Sequence, residues 1–275
     1  MATVSVVLAT FNEEKNLPSC LDSVKDLTDE IVVVDGGSSD KTVEIAKKYG
    51  AKVKITTNKP IFHINKQMAI DVATKDWVLQ LDADERVTPQ LKNEVKKAIA
   101  KFGWNPSTPP PKGGVAQDDS GAVNGYWVPR KNWFLGRFLM KGGQYPDYTL
   151  RLYRRGKGRL PQKTVHEQAE VSGELGYLKH PLLHYPYKNF AMYLEKWNRY
   201  TDLIASQIKS KLQNKGFLIK LFYMIGYVFI KPIHWFVTTY IRHKGFYDLW
   251  PGLVFSFFSS LRFPIGYFKF LISNF

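Results

Sequence analysis

Asp82 and Asp84, one residue apart at the end of Trp77-Val78-Leu79-Gln80-Leu81, are the side chains best suited to grip a divalent cation. Carboxylates at that spacing suit Mg²⁺ or Mn²⁺, which keep water ligands and take further coordination from a phosphate. The apolar run before them reads as a central strand of a parallel sheet, so the acids stand at its carboxyl end. Ligands of open α/β sheets bind in the crevice outside those ends. The pattern predicts a metal-diphosphate site. An Asp-X-Asp triplet arises by chance about once in a chain of this composition, so its surroundings have to carry the reading.

Further candidates lie on both sides. Asp35 ends the run Glu30-Ile31-Val32-Val33-Val34 and precedes Gly36-Gly37-Ser38-Ser39-Asp40. A strand-tip acid followed by glycines can accept hydrogen bonds from a ribose or base, and the same residues also make an ordinary helix-entry turn. Lys66, on the approach to the acid-tipped strand, could reach a phosphate or be a solvated lysine. Asp147 stands four residues before Arg151, a spacing that lets both face the site if a helix or tight turn begins there. Thr164-Val165-His166-Glu167 places an imidazole and an acid side by side. Trp, Tyr and Phe between Trp127 and Tyr148 serve either as core or as stacking surfaces for sugar rings.

These residues need a scaffold, and the pattern supplies one. Thr3–Thr10 is a β-branched run that predicts the first, central strand. Leu17, Leu21 and Val24 repeat at helical spacing, and a second strand covers 30–35. A helix with Val43, Ala46 and Tyr49 inward ends at Gly50, and 52–56 is a short strand. A helix from Asn65 to Ala73 presents Met68, Ala69 and Val72, and Thr88-Pro89 caps a helix reaching Phe102. Alternating strands and helices predict a mainly parallel sheet with right-handed crossovers. Residues 104–121 carry prolines and glycines without apolar periodicity and read as a mobile surface loop. A strand follows at Gly125–Arg130, and Phe190 to Ile208 has helical spacing.

The chain has 275 residues, enough for one large α/β domain or a domain with an appendage, and its net charge of +15 implies an anionic partner. From Ser206 onward nine Lys and Arg face one acid, Asp248. The same region holds apolar runs at Leu221–Ile230, Pro232–Ile241 and Phe246–Leu261, the first two separated by Lys231-Pro232. Each falls short of the roughly 20 residues of a spanning helix. Interleaved cations and aromatics fit helices lying in the interface of an anionic membrane, with a membrane span and a subunit interface as the other uses. No nucleic-acid motif appears. The single cysteine, Cys20, excludes an internal disulfide, and no secretory leader pattern precedes the first strand.

Three of these motifs in order, Val7-Leu8-Ala9-Thr10-Phe11-Asn12-Glu13-Glu14, Val34-Asp35-Gly36-Gly37-Ser38-Ser39-Asp40 and Leu81-Asp82-Ala83-Asp84-Glu85, resemble glycosyltransferase family 2. The stretch with Asp147, Arg151, Arg154-Arg155-Gly156 and Val165-His166-Glu167 is similar to the bacterial branch that builds lipopolysaccharide or lipooligosaccharide cores. The resemblance covers about residues 3 to 205. It implies a GT-A fold, a Rossmann-like mainly parallel sheet flanked by helices, at 1–205. The basic, apolar helical region at 206–275 would then be a membrane-associating extension. It also implies a nucleotide-sugar donor, UDP-linked, a divalent metal (Mg²⁺ or Mn²⁺), inversion at the anomeric carbon and a glycan or glycolipid acceptor. Thr10, Asn12, Glu13 and Glu14 match the nucleotide grip, Asp35 the base or ribose contact, and Lys66 and Arg151 flank the diphosphate. Asp82 would touch ribose or the metal's water, and Asp84 and His166 would complete the metal site. Asp147 matches the general base; Pro146 stands where Glu is common, and Glu167 is the alternative. The expected place is the cytoplasmic face of a bacterial inner membrane. A polyprenyl-phosphate sugar transferase, a phosphatase-like hydrolase using Asp82 and a non-catalytic basic membrane-binding protein are the rival readings.

Overall fold

The computed structural model describes residues 2–100, 123–162 and 168–273, so the segments with the expected loop at 104–121 and with His166 and Glu167 lie outside the described residues. Contacts group the chain into two units, 1–130 with 148–184, and 131–147 with 185–275. The helix from Phe190 groups with the C-terminal region.

In the first unit, β1 (Val4–Thr10), β2 (Glu30–Asp35), β3 (Lys52–Ile55) and β4 (Trp77–Leu81) form the parallel part of the sheet. They alternate with α1 (Leu17–Val24), α2 (Thr42–Lys48) and α3 (His63–Val72). All five residues of β4 are buried, as a strand covered on both faces requires. Then come β5 (Glu85–Val87), α4 (Pro89–Ala100), β6 (Val123–Phe134), β7 (Arg137–Phe138), whose residues group with the second unit, and β8 (Asp147–Arg154). Four short strands follow, β9 (Gly158–Arg159), β10 (Glu170–Val171), β11 (Glu174–Tyr177) and β12 (Leu182–His184). The ten-stranded sheet runs β3-β2-β1-β4-β8-β6-β12-β5. It is parallel through β4 and antiparallel where β8 meets β4. The sheet as a whole is mixed, and its β3-β2-β1-β4 part is the Rossmann-like parallel arrangement with flanking helices that the GT-A resemblance implies. Val6, Leu8, Leu17, Leu21, Val33 and Leu79 are among the side chains packed between sheet and helices.

Two elements depart from expectation. The stretch from Asp147 is a strand, not a helix or tight turn: Tyr148, Thr149, Leu152 and Tyr153 favour extended backbone, and β4 offers a pairing edge. On α3 the inward face is mixed. Ala69 is buried and Met68 packs on the core as expected, but His63, Asn65 and Lys66 are buried as well, while Val72 is 39% exposed.

In the second unit, α5 (Phe190–Leu212) is capped by Asn189, whose side chain accepts the Met192 N–H. A helical run, Phe217–Arg242, follows, built from α6 (Phe217–Ile225) and α7 (Lys231–Phe236) with π-helical turns at Gly226–Ile230 and Val237–Arg242. The expected break at Lys231-Pro232 does not occur. Pro232 falls directly after the first π-helical stretch, where the wider turn relieves the clash of its ring with the preceding turn. The chain ends in α8 (Leu249–Ile272).

Candidate active site

The carboxyl ends of β1, β2 and β4 carry the acids. Parallel pairing sets Thr10 opposite Asp35, and the Thr10 hydroxyl donates to Asp35 Oδ2 at 2.8 Å. Asp35 Oδ1 accepts from the Gly37 and Ser38 amides at 3.0 and 2.7 Å, and Oδ2 also accepts from the Ser38 hydroxyl at 2.6 Å. Gly37, at φ +85°, supplies the left-handed turn that aims these amides back at the carboxylate. With four donors the acid's acceptor capacity is filled by the protein. The expected ribose contact thus requires one of those donors to yield, and in this structure Asp35 organises its own loop.

The 10–14 segment is zipped to that loop. Asn12, left-handed at φ 55°, donates its N–H to Ser38 Oγ and accepts the Ser39 N–H; the Glu13 N–H meets Thr42 Oγ1, and the Glu14 N–H meets Asp40. Thr10 and Glu13 line a cleft of about 280 Å³ together with Asn65, Lys66, Asp82, Asp84 and His184. Six of the expected residues from separate segments, Thr10, Glu13, Asp82, Asp84, Lys66 and, through Asp82, Arg151, are brought together at one sheet edge.

The two acids of the central triplet differ in what surrounds them. Asp82 is ion-paired through Oδ1 with Lys66 and through Oδ2 with Arg151, the latter at 2.7 Å. Burial alone would push its carboxyl up; Arg151 and Lys66 outweigh that and hold it well below the usual carboxylate range. Arg151 also reaches Glu85 Oε1 at 2.7 Å, and these two acids keep its guanidinium charged against burial. Lys66 is accordingly a buried ion-pair partner and not a solvated lysine. Asp84 has a different neighbour, His184, whose Nε2 lies 3.5 Å from its Oδ2.

Glu85 and His184 are the residues that motif reading passed over. Glu85 is fully buried; its Oε2 accepts the Asp82 N–H and its own N–H donates to the Asp82 carbonyl, both at 2.9 Å, which closes the turn bearing Asp84. His184 ends β12, which pairs antiparallel with β5 so that His184 stands opposite Glu85. Leu182-Leu183-His184 was the available signal, an apolar pair ending in an imidazole, but three residues are too few for a periodicity. Arg86 ties the turn to the start of α1 through the Asn16 carbonyl. Cys20 packs beneath with its Sγ 3.5 Å from the Asp82 carbonyl, and burial pushes the thiol up, so it is no nucleophile at neutral pH.

A divalent ion fits this donor set in one way. Asp84 and His184 line the open cleft with a carboxylate and an imidazole, whereas both oxygens of Asp82 already hold cations. Among the described residues no cluster of three or more His, Cys, Asp or Glu could cage an ion. Two protein donors leave the remaining positions to phosphate oxygens and water, as Mg²⁺ and Mn²⁺ prefer. Asn65 adds an unspent group to the cleft: its amide donates to the Thr57 carbonyl, but its Oδ1 is buried without a hydrogen-bond partner. Asp147 opens β8 in the second unit and accepts from Asn132 Nδ2 at 3.2 Å.

Residues 5–108 match the model of glycosyl transferase family 2. A glycosyltransferase of Rickettsia typhi is 40% identical over 102 residues, 36% of this chain and 34% of that protein, so the chain spans about a third of such a relative. The lipopolysaccharide core biosynthesis glycosyltransferase LpsC of Rhizobium meliloti is 28% identical over 279 residues, 94% of this chain and 91% of that one. The crystal structure of S. aureus TarS 1-349 in complex with UDP aligns at 17% identity and a TM-score of 0.46, over 90% of this chain and 75% of that chain. The match falls on the stretch from β1 through α4, the domain that carries the acids of the cleft.

Proposed function

We propose that this domain makes the protein an inverting, metal-dependent glycosyltransferase. It would move a sugar from a nucleoside-diphosphate donor, with UDP the expected nucleotide, to a hydroxyl of a bacterial envelope glycan or lipid-linked acceptor. The observation that carries the reading is the contrast inside the cleft: Asp82 is locked between Lys66 and Arg151, while Asp84 beside His184 keeps coordinating capacity toward open space. The near full-length similarity to LpsC supports the acceptor class.

Asp84 and His184 would hold the ion, whose positive charge offsets the charge that builds on the departing diphosphate. The ion pairs of Asp82 keep the metal-bearing turn in place without solvent rearrangement, the preorganisation on which such sites depend. Asn65 Oδ1 would accept an N–H or O–H from the nucleoside. Asp147 would take the proton of the acceptor hydroxyl as it attacks the anomeric carbon opposite the leaving group, and one displacement inverts that centre. Glu167 is the alternative base. Trp127, Tyr148 and Tyr177 form an aromatic cluster, with centroids 6.4 Å apart for Trp127–Tyr177 and 5.2 Å for Tyr148–Tyr177, and Tyr177 is 63% exposed. The antiparallel register of β8 on β4 carries Tyr148 past Leu81, to the sheet end that bears the acids. Such a surface suits the apolar face of an acceptor sugar.

A thermal-shift screen of nucleotide-sugars with and without Mn²⁺ tests this reading. The expected result is stabilisation by one nucleotide class that requires the metal and vanishes in Asp84→Ala. Stabilisation by none of them, or an Asp84→Ala variant that responds like the parent, removes it. Asp147→Asn should suppress transfer without weakening donor binding; if Glu167→Gln is the silent variant instead, the two exchange roles.

A further inference from the structure

The second unit carries an apolar surface that nothing covers among the described residues. Over its most apolar window the helical run Phe217–Arg242 has a mean hydropathy of 1.4 with only 6% buried. Leu218, Phe222, Phe229, Ile233, Val237 and Ile241 are all exposed, Phe222 at 73%. Most of these steps are four residues, which would wind around a regular α-helix. The two π-helical stretches widen the turn and keep the row on one side. The opposite side packs inward, with Tyr227 buried against Tyr267 and Phe270.

The charges are sorted with equal regularity. Lys231, in mid-run, lies 3.3 Å from the centroid of the Tyr227 ring, and the Arg262 guanidinium of α8 lies 4.6 Å from the Trp235 ring. Both are drawn onto aromatic faces and off the outward row. The exposed cations stand at the ends instead, Lys215 and Lys220 at the start, Arg242 and Lys244 at the finish, and none of the four is ion-paired among the described residues. Beside the start is a cleft of about 600 Å³ with Phe217, Leu221 and Phe270 in its walls and Lys209 and Lys220 at its rim.

This distribution selects among the occupants an apolar helix face can have. A second copy paired on the face in either direction sets cations against cations at both ends, which opposes docking. A transmembrane path would carry one of the two cationic ends across the bilayer, against the one-sided basic bias of spanning segments. An anionic bilayer surface satisfies every part: the row enters the acyl boundary and the end cations meet headgroups. We propose that the second unit lies in the plane of an anionic phospholipid surface, with the Lys209/Lys220 cleft seating a lipid phosphate. The inference is independent of the sugar-transfer reading, whose residues belong to the other unit apart from Asp147.

Flotation of the full chain with vesicles is the test. Binding is expected to vesicles of phosphatidylglycerol and phosphatidylethanolamine and to be much weaker with phosphatidylcholine alone. Lys209→Ala with Lys220→Ala should weaken the anionic binding about thirtyfold, from roughly 1 kcal/mol per lysine, and leave the phosphatidylcholine residue unchanged. Phe222→Ser with Phe229→Ser and Ile233→Ser, checked for folding by circular dichroism, should lose binding to both. Equal binding to the two vesicle types, or a lysine variant that floats like the parent, overturns the proposal. So does a lipid-free dimer that the serine variant disrupts, or labelling of the two helix ends from opposite sides of the vesicle.

Discussion

The two edges of the parallel sheet each hold a buried, ionised acid, and they use it differently. At the amino-terminal edge Glu30 takes the Ser5 hydroxyl at 2.5 Å, the Lys52 ammonium at 2.5 Å, and the Thr74 amide and hydroxyl at 2.7 and 2.9 Å. Burial would raise its carboxyl, but Lys52, Ser5 and Thr74 together bring it down to about 2. Every acceptor site is used, and the contacts join β1, β2, β3 and the turn before β4. At the carboxyl edge Asp82 is equally committed, yet the groups around it are not: Asp84 opens onto the cleft, and Asn65 Oδ1 has no partner. The hollow beside Glu30 is the larger, about 700 Å³ against 280 Å³. Unspent polar capacity, and not volume, distinguishes the edge that can bind from the edge that only holds.

That contrast can be broken most sharply at Asp84. Asp84→Ala should lower transfer by about 10²–10³-fold while the melting temperature stays within a degree or two, because the side chain stabilises charge in the reaction and little in the fold. A variant as active as the parent would make the two edges alike. Arg151→Met comes next: it strands Asp82 and Glu85 in the interior and should cost about 3–5 kcal/mol in urea unfolding. Adding Asp82→Asn should recover part of that loss, which a double-mutant cycle would read directly.

Glu30→Gln sharpens the other side. It should destabilise by about 1.5–3 kcal/mol, the range for hydrogen bonds to a charged group, with donor affinity unchanged. The pH dependence gives its sign. The folded value is depressed from 4.5 to about 2, so the Glu30 contribution is complete above its unfolded value and fades as pH falls toward about 2. Urea midpoints measured on acidification should lose that component in Glu30→Gln, and an unchanged acid transition would assign it elsewhere. The smallest effect is expected at Asn65→Ala, about 1 kcal/mol or roughly fivefold weaker donor binding by calorimetry, with a stability loss of about 1 kcal/mol from the hydrogen bond to the Thr57 carbonyl.

Much of the first unit is legible along the chain because its elements announce themselves over short distances. The β-branched runs ending at Thr10 and Asp35 and the apolar run ending at Leu81 are the strands, and Thr88-Pro89 does begin a helix, with Thr88 Oγ1 accepting the Leu91 N–H at 3.1 Å. Apolar spacing does not reveal the polar part of an inward face. On α3 Asn65 and Lys66 line the cleft and are buried beside the core residues Ala69 and Ile70, and Val72 is left in solvent. The helical run Phe217–Arg242 was obscured for a similar reason, since Pro232 signals a break unless the preceding turn is wide.

Sequence by itself determined the sheet, the acids at its carboxyl edge and the concentration of cations and apolar residues near the C-terminus, because periodicity and strand-tip position are local properties. Tertiary structure decided which acid is locked between cations. Lys66 and Arg151 lie 16 and 69 residues from Asp82, and His184 lies 100 from Asp84. Only the α3 crossover, the antiparallel entry of β8 and the β12–β5 pairing bring them within contact distance. Charge pairing between such distant segments leaves no repeat in the chain, and the fold alone sets which carboxylate is neutralised and which remains available to a ligand.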